Sequence, residues 1–212
     1  MKRTIRNYIF AVLICLGLGA FFYFVGGEEL RCQTTSTEMA EANSTLPEIV
    51  DGVEIRQKMI IEKDIVEKIS IRMATYARAN NGILTLSLVD NQTGKTLEEC
   101  YVDVSLLPGD TLYEWEFSEP LTGCKGKTVT LTAGATSPAG SGITFYINQN
   151  VSDGNLSINN ETISGMLCYS IQEKTNYWFG EYYWYIVLGV TAAVVLYLIY
   201  SDWAEKKGKI TF

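Results

Sequence analysis

The chain contains no histidine among its 212 residues. That removes Ser-His-Asp and Cys-His relays, and it makes a zinc site an unfavoured reading. The patterns S-x-x-K and G-x-S-x-G are missing, and no glycine-rich phosphate loop stands between a strand and a helix. Basic residues are few, with 17 Lys and Arg against 24 Asp and Glu for a net charge of −7. Nucleic acid requires a basic footprint, so it is excluded as a partner. Proline occurs only 4 times and never inside the two longest apolar runs.

Those runs define the organisation. Tyr8 to Val25 (YIFAVLICLGLGAFFYFV) and Tyr182 to Tyr200 (YYWYIVLGVTAAVVLYLIY) are 18 and 19 residues long and carry no charge. At about 1.5 Å rise per residue each helix crosses a hydrocarbon layer roughly 30 Å thick. Tyr177, Trp178, Phe179 and Trp184 crowd one end of the second run, and Tyr197, Tyr200 and Trp203 mark the other. Rings of this kind favour the headgroup level. Lys2, Arg3 and Arg6 precede the first run, and Lys206, Lys207 and Lys209 follow the second. Positive flanks stay inside, so both termini are expected in the cytoplasm and the centre outside. Residues 27–178 hold 21 acidic and 11 basic side chains, a net of −10, so the whole-chain charge conceals a basic inside and an acidic outside. A cleaved signal peptide is the alternative reading of the first run. The run is long for a signal, and no clear A-x-A site follows it. The divisions expected are a tail over 1–7, spans over 8–26 and 182–200, a polar tether over 27–47, an outer domain over 48–173, an aromatic juxtamembrane segment over 174–181 and a tail over 201–212.

Small residues recur four apart in both spans. Ala11, Cys15 and Gly19 share one face of the first, and Gly189 and Ala193 share one face of the second. Such faces let helices approach closely, so these residues are candidates for packing between the spans or against a partner subunit. The tether is polar and without steady period, with a helical turn expected near Thr37–Ala42.

The centre reads as strands. Apolar residues alternate with polar ones over 53–61, 69–75, 84–88, 100–104, 113–117, 129–133, 143–147 and 167–171. Period two with β-branched and aromatic residues marks half-buried strands, and here it gives eight. Asn80-Asn81-Gly82 is a tight hairpin signal, and Asn91-Gln92-Thr93-Gly94 is a second. Regular short strands with such turns predict a mainly β fold, an antiparallel jelly-roll β-sandwich flanked by two transmembrane helices.

Three stretches resemble a known family: ISIRMATYARANNGILTLSLVDNQTGKTLEE (Ile69–Glu99), DTLYEWEF (Asp110–Phe117) and GKTVTLTAG (Gly126–Gly134). They look like the extracytoplasmic jelly-roll domain, galactose-binding-like and carbohydrate-module-like, of bacterial envelope membrane proteins, over roughly residues 50–172. The resemblance implies a bacterial plasma membrane and a domain that often binds sugars or serves as a docking module. It also implies that a structural calcium is a secondary possibility. The chain departs from typical sugar-binding members in lacking exposed tryptophans. Trp115 is the single tryptophan of the strand region, and its alternation points it inward.

Outward-facing rings and polar groups are the candidate ligand contacts: Tyr76, Arg78, Tyr101, Asp103, Tyr146 and Asn148. Flat rings stack on sugar faces, while amides and carboxylates bind hydroxyls. Oxygen ligands for calcium would come from Asn150, Asp153 and Asn155, with Asp90 and Asp110 elsewhere. Glu98 and Glu99 are adjacent and so face opposite sides of a strand, which leaves a β-sandwich hydrolase as a remote alternative. Cys32, Cys100, Cys124 and Cys168 lie in the outer region, where disulfides persist; Cys100–Cys124 is the first pairing to test, with unbridged thiols as the alternative. Five N-x-[ST] sequons, at Asn43, Asn91, Asn150, Asn155 and Asn160, would suggest a glycosylated surface in a eukaryote, whereas in the bacterium that the resemblance implies they usually mean nothing. The expectation is a non-enzymatic membrane-anchored recognition or accessory module, with surface glycans as its ligand class. The alternative is a structural subunit docked on a membrane protein partner.

Overall fold

Alternation in the central sequence becomes two stacked antiparallel sheets in the computed structural model, which describes residues 2–151 and 155–207. The chain divides into a helical body, Met1–Gln33 with Asn176–Phe212, and a β body, Thr34–Thr175.

The seven-stranded sheet contains β1 (Cys32–Ser36), β2 (Ser44–Thr45), β4 (Ile65–Ala74), β7 (Thr111–Leu121), β9 (Thr144–Asn148), β12 (Met166–Leu167) and β13 (Tyr169–Asn176). The six-stranded sheet contains β3 (Glu54–Ile60), β5 (Ile83–Asp90), β6 (Thr96–Asp103), β8 (Thr128–Ala135), β10 (Leu156–Ile158) and β11 (Glu161–Ile163). Its strand order is β11-β10-β3-β8-β5-β6, so neighbours in space are mostly distant in sequence and the chain passes repeatedly between the sheets. Seven of the eight expected strands are present as single strands, and the eighth, 167–171, is divided at Cys168 between β12, which pairs with β9, and β13, which pairs with β4. Their apolar positions, among them Ile55, Ile69, Ile71, Leu86, Leu131 and Phe145, are buried between the sheets. Each such side chain contributes about 1.5–3 kcal/mol on leaving water. Trp115 is buried as its alternation requires and meets Phe117 edge-to-face at 5.2 Å.

Three local expectations change. Residues 27–47 are not a free tether. Thr37 N donates to Ile171 O at 3.0 Å and Asn43 N to Ile147 O at 3.1 Å, and Leu46 is buried. Strands β1 and β2 therefore belong to a sheet, and polar edge strands of this length leave no period-two signal. The expected helical turn near Thr37–Ala42 does not form. Asn80-Asn81-Gly82 is not a hairpin, because β4 and β5 lie in different sheets. Asn80 is buried and its amide donates to Thr75 O at 3.1 Å, so it fastens the crossing loop. Gly82 has φ 118°, and a Cβ there would lie 2.6 Å from Ser137 Oγ, so no other residue fits this crossing. Asn91–Gly94 does close the β5–β6 hairpin, with Gly94 N donating to Asp90 O at 2.8 Å.

The helical body holds α1 (Lys2–Val25), the single turn α2 (Trp178–Glu181) and α3 (Tyr183–Lys206). Within α1, Ile5–Val25 has mean hydropathy 2.4, and α3 has 1.9; both are long and apolar enough to cross a membrane. Apolar side chains such as Phe10, Phe22, Leu188 and Leu196 are exposed around both helices. A helix apolar on all sides suits lipid rather than water. The helices continue past the expected ends of the spans because no Pro or Gly interrupts Lys2–Arg6 or Ser201–Lys206. They pack antiparallel. Tyr8 OH donates to Asp202 Oδ2 at 2.5 Å at one end, and Tyr183 OH donates to Gly19 O at 2.8 Å at the other. The start of α1 and the end of α3 therefore fall at the same end of the hairpin.

Ala11 and Cys15 are half-buried on the side of α1 that carries Gly19, and Gly19 is buried against Val187. Gly189 and Ala193 do not face α1; both are exposed, and no atom lies within 4 Å of a Cβ built at Gly189. The packed face of α3 runs through Tyr183, Val187 and Thr191. Gly189 is two residues beyond Val187 and so is rotated about 200° away from it. Thr191 satisfies its hydroxyl locally by donating to Val187 O at 2.7 Å.

Three substitutions test this packing. Leu86, fully buried, becomes a cavity in Leu86→Ala, and unfolding of the sandwich should shift by about 2–5 kcal/mol in a denaturant titration. A Cβ at Gly19 would lie 2.6 Å from Val187 Cγ1, so Gly19→Ile should separate the helices, while Gly189→Ile leaves them paired. Disulfide trapping between cysteines introduced at Val12 and Val195 reads the difference.

Candidate functional site

Strand register decides what the outer face of the six-stranded sheet presents. Ile55, Leu86 and Leu131 point into the core, so Arg56, Ser87 and Thr132 point away from it. The pairing sets Ser87 beside Thr132, Thr132 beside Arg56, Arg56 beside Ser157 and Ser157 beside Thr162. One polar row thus crosses five strands. Two residues along, a second row sets Val89 beside Thr130 and Thr130 beside Lys58. The β5–β6 turn at Asn91 and the β10–β11 turn at Asn160 lie at its borders, and together these residues form an open groove of about 780 Å³.

The lining is hydroxyl, amide and charge. Among the described residues no aromatic ring belongs to it, and Val89 is the one large apolar side chain. Arg56 donates to Asn160 Oδ1 at 2.8 Å and pairs with Glu54 at 2.8 Å, which holds its guanidinium over the floor. Thr130 Oγ1 donates to Asn91 Oδ1 at 2.7 Å. Among the described residues the lining holds two acidic side chains, Glu54 and Asp90, and two basic ones, Arg56 and Lys58. Asp90 is itself buried, and its carboxylate accepts from Gln92 N at 2.8 Å and Thr93 N at 3.3 Å, with Lys127 Nζ at 3.8 Å. The Gln92 amide foremost, then Thr93 and Lys127, hold its pKa below the ordinary carboxylate range. Asp90 is occupied in closing the hairpin.

The six expected contact residues fall in three places. Tyr101 and Asp103 are on the outer face of β6, beside the groove but not in its lining. The Tyr101 hydroxyl donates to Glu99 at 2.6 Å, and Asp103 accepts from Ser105 N at 3.0 Å. Tyr76 and Arg78 are in the loop after β4. Arg78 lies 4.7 Å from the Tyr76 ring centre, is paired with Glu48 and donates to Gly142 O at 3.0 Å. Tyr146 and Asn148 are on β9 of the other sheet, where the Tyr146 hydroxyl donates to Asp110 at 2.6 Å and Asn148 Oδ1 accepts from Asn150 N at 2.9 Å. Alternation tells inside from outside but not which sheet a strand joins, so these residues do not converge.

The groove was missed because β10 and β11 have only three residues each. Their signal was present: Asn159 and Asn160 both have positive φ, 48° and 68°, the form of a two-residue turn, between Leu156-Ser157-Ile158 and Glu161-Thr162-Ile163. Of the calcium candidates, Asp153 lies outside the described residues, Asn155 lines the groove and Asn150 is tied to Asn148. Asp110 is engaged by Tyr146. Glu98 accepts from Ser118 N at 3.0 Å while Glu99 accepts from Ser87 Oγ at 3.1 Å, so the two carboxylates diverge.

Cys100 and Cys124 are not bridged. Cys100 is hydrogen-bonded to Tyr113, whereas Cys124 sits in the turn before β8, its N donating to Asp64 O at 3.1 Å and its Sγ to Thr122 O at 3.6 Å. Burial pushes the Cys100 thiol up to about 11.

No family model and no curated protein matches the chain. Among solved structures it is similar to a chain of the 2.6 Å structure of infectious bursal virus-derived T=1 particles, with TM-score 0.32 and 9% identity over 82% of this chain. It spans about half of that chain, 52%.

Two titrations follow. Because the Asp90 pKa is depressed by folding, its stabilisation is complete above the ordinary aspartate value and is lost as pH falls through the folded value. The stability gap between the parent chain and Asp90→Ala should be constant near neutrality and close below about pH 4. Alkylation of Cys100 by iodoacetamide should be slow at pH 7 and accelerate toward a midpoint near 11; a midpoint near the free-thiol value would contradict its burial.

Proposed function

We propose that this chain is a non-enzymatic recognition module of the bacterial cell envelope, anchored by two helices and displaying its sandwich outside the plasma membrane. Its ligand is hydrophilic, with surface glycans as the class, and it binds the outer face of the six-stranded sheet. The groove is the observation that carries this reading. Its hydroxyls, amides and paired charges offer donors and acceptors together, as a polyhydroxylated ligand requires.

The antiparallel helix pair supports the topology, because a hairpin puts both basic tails on one side of a bilayer. Positive flanks make that side the cytoplasm. A second reading, a subunit docked on a membrane partner, is favoured by one feature, the exposed Gly189–Ala193 face of α3.

Topology is tested by labelling in the native host. Thr162 is exposed, so Thr162→Cys should react with a membrane-impermeant maleimide on intact cells. A cysteine placed at Lys207 should react only after permeabilisation. The opposite pattern removes the envelope reading. Retention of fluorescent envelope polysaccharide by the purified chain, with no release of cleaved sugar, is the expected functional result; release of reducing ends would reveal a hydrolase.

A further inference from the structure

From the register of the six-stranded sheet we infer that its groove takes an extended, uncharged polyhydroxylated chain, an oligosaccharide several units long, lying across the strands. This rests on the recognition reading above and narrows it. Neighbouring strands are about 4.8 Å apart, so the row from Ser87 through Thr132, Arg56 and Ser157 to Thr162 spans roughly 19 Å in nearly even steps. A linear polymer meets one hydrogen-bonding group at each step. A single sugar would use one or two of them and leave the rest in water.

Other ligand classes fit poorly. An extended peptide adds to a sheet edge through its backbone, but this groove lies on a face where the floor strands have already spent their N–H and C=O groups on each other. Peptide side chains would also find only Val89 as an apolar contact. A lipid chain needs apolar walls, which the lining lacks. A polyanion needs an excess of positive charge, and the described lining carries as many acidic side chains, Glu54 and Asp90, as basic ones, Arg56 and Lys58. What remains is a neutral chain rich in hydroxyls. Recognition comes from hydrogen bonds without ring stacking, since no aromatic side chain lines the floor. Arg56 is the specificity residue. It sits at the middle of the row with its guanidinium already oriented by Asn160 and Glu54, so little rotamer freedom is lost when it donates to a sugar oxygen.

The experiment uses the full chain in a detergent without a sugar headgroup. Size-fractionated dextran, β-1,3-glucan, β-1,4-xylan and galactan are the probes, with hyaluronan as a charged control. For at least one neutral polymer, affinity should rise with oligomer length and level off once the row is filled. Arg56→Ala and the volume-conserving Thr132→Val should each weaken that binding, the former by about tenfold or more. Glu114→Ala, on the other sheet, should not. Monosaccharides that bind as tightly as long oligomers, or a preference for hyaluronan, overturn the inference and leave a recognition module with another ligand geometry. Binding that ignores both groove variants overturns it by placing the site elsewhere. Binding of no polysaccharide in the panel overturns it as well, and the recognition reading then stands or falls on retention of the host's own envelope polymer.

Discussion

Burial of one face of each sheet against the other is the constraint from which the rest of the β body follows. Once Leu86, Leu131 and Ile55 are committed to the interior, period two sends Ser87, Thr132 and Arg56 outward, and the antiparallel register sets them side by side. A slip of one residue on any of these strands would bury a hydroxyl or a guanidinium and expose a large aliphatic side chain. The polar groove and the apolar core are thus two faces of the same pattern. The core supplies the free energy that keeps the groove residues in fixed relative positions, so a ligand meets them without first ordering them.

The helices, long and apolar enough to cross a membrane, are under a complementary constraint if lipid surrounds them. Their surfaces are apolar all round, so association gains nothing from removing oil from water; close approach and a few polar contacts hold the pair. Gly19 permits the approach to Val187, and the Tyr8–Asp202 and Tyr183–Gly19 hydrogen bonds fasten the two ends. Tyr23 is the hinge of an aromatic cluster, with Tyr183 at 5.5 Å, Trp184 at 5.3 Å and the Arg31 guanidinium 4.0 Å from its ring. Rings and a cation gathered where the apolar stretch ends suit the headgroup layer.

Much of this was legible in the residues. Eight strands and two helices followed from period and length, and so did the inward direction of Trp115 and the packing role of Ala11, Cys15 and Gly19. What was not legible depended on partners far away in the chain. Gly189 and Ala193 have the spacing of a packing face, but the face that α3 uses is set by where α1 lies. Polar β1 and β2 look like linker until their pairing with β13 and β9 is known. Tyr76, Tyr101 and Tyr146 all face outward, yet they belong to a loop and to two different sheets. The groove was hidden for the same reason, since Arg56 and Ser157 become neighbours only through β3–β10 pairing. Arg56 alternates with buried Ile55 and Gln57, and by itself reads as an ordinary exposed charge.

On the proposal above, the outer face of the six-stranded sheet is the working surface of this protein. Site-specific photo-crosslinking in living host cells tests it most directly, with a benzophenone side chain placed at Thr162 in the groove or at Glu114 on the opposite sheet. The account predicts a diffuse, high-mass adduct from position 162 that collapses on glycosidase treatment, and no such adduct from position 114. A discrete protein adduct from 162, or a polysaccharide adduct from 114 alone, would contradict it.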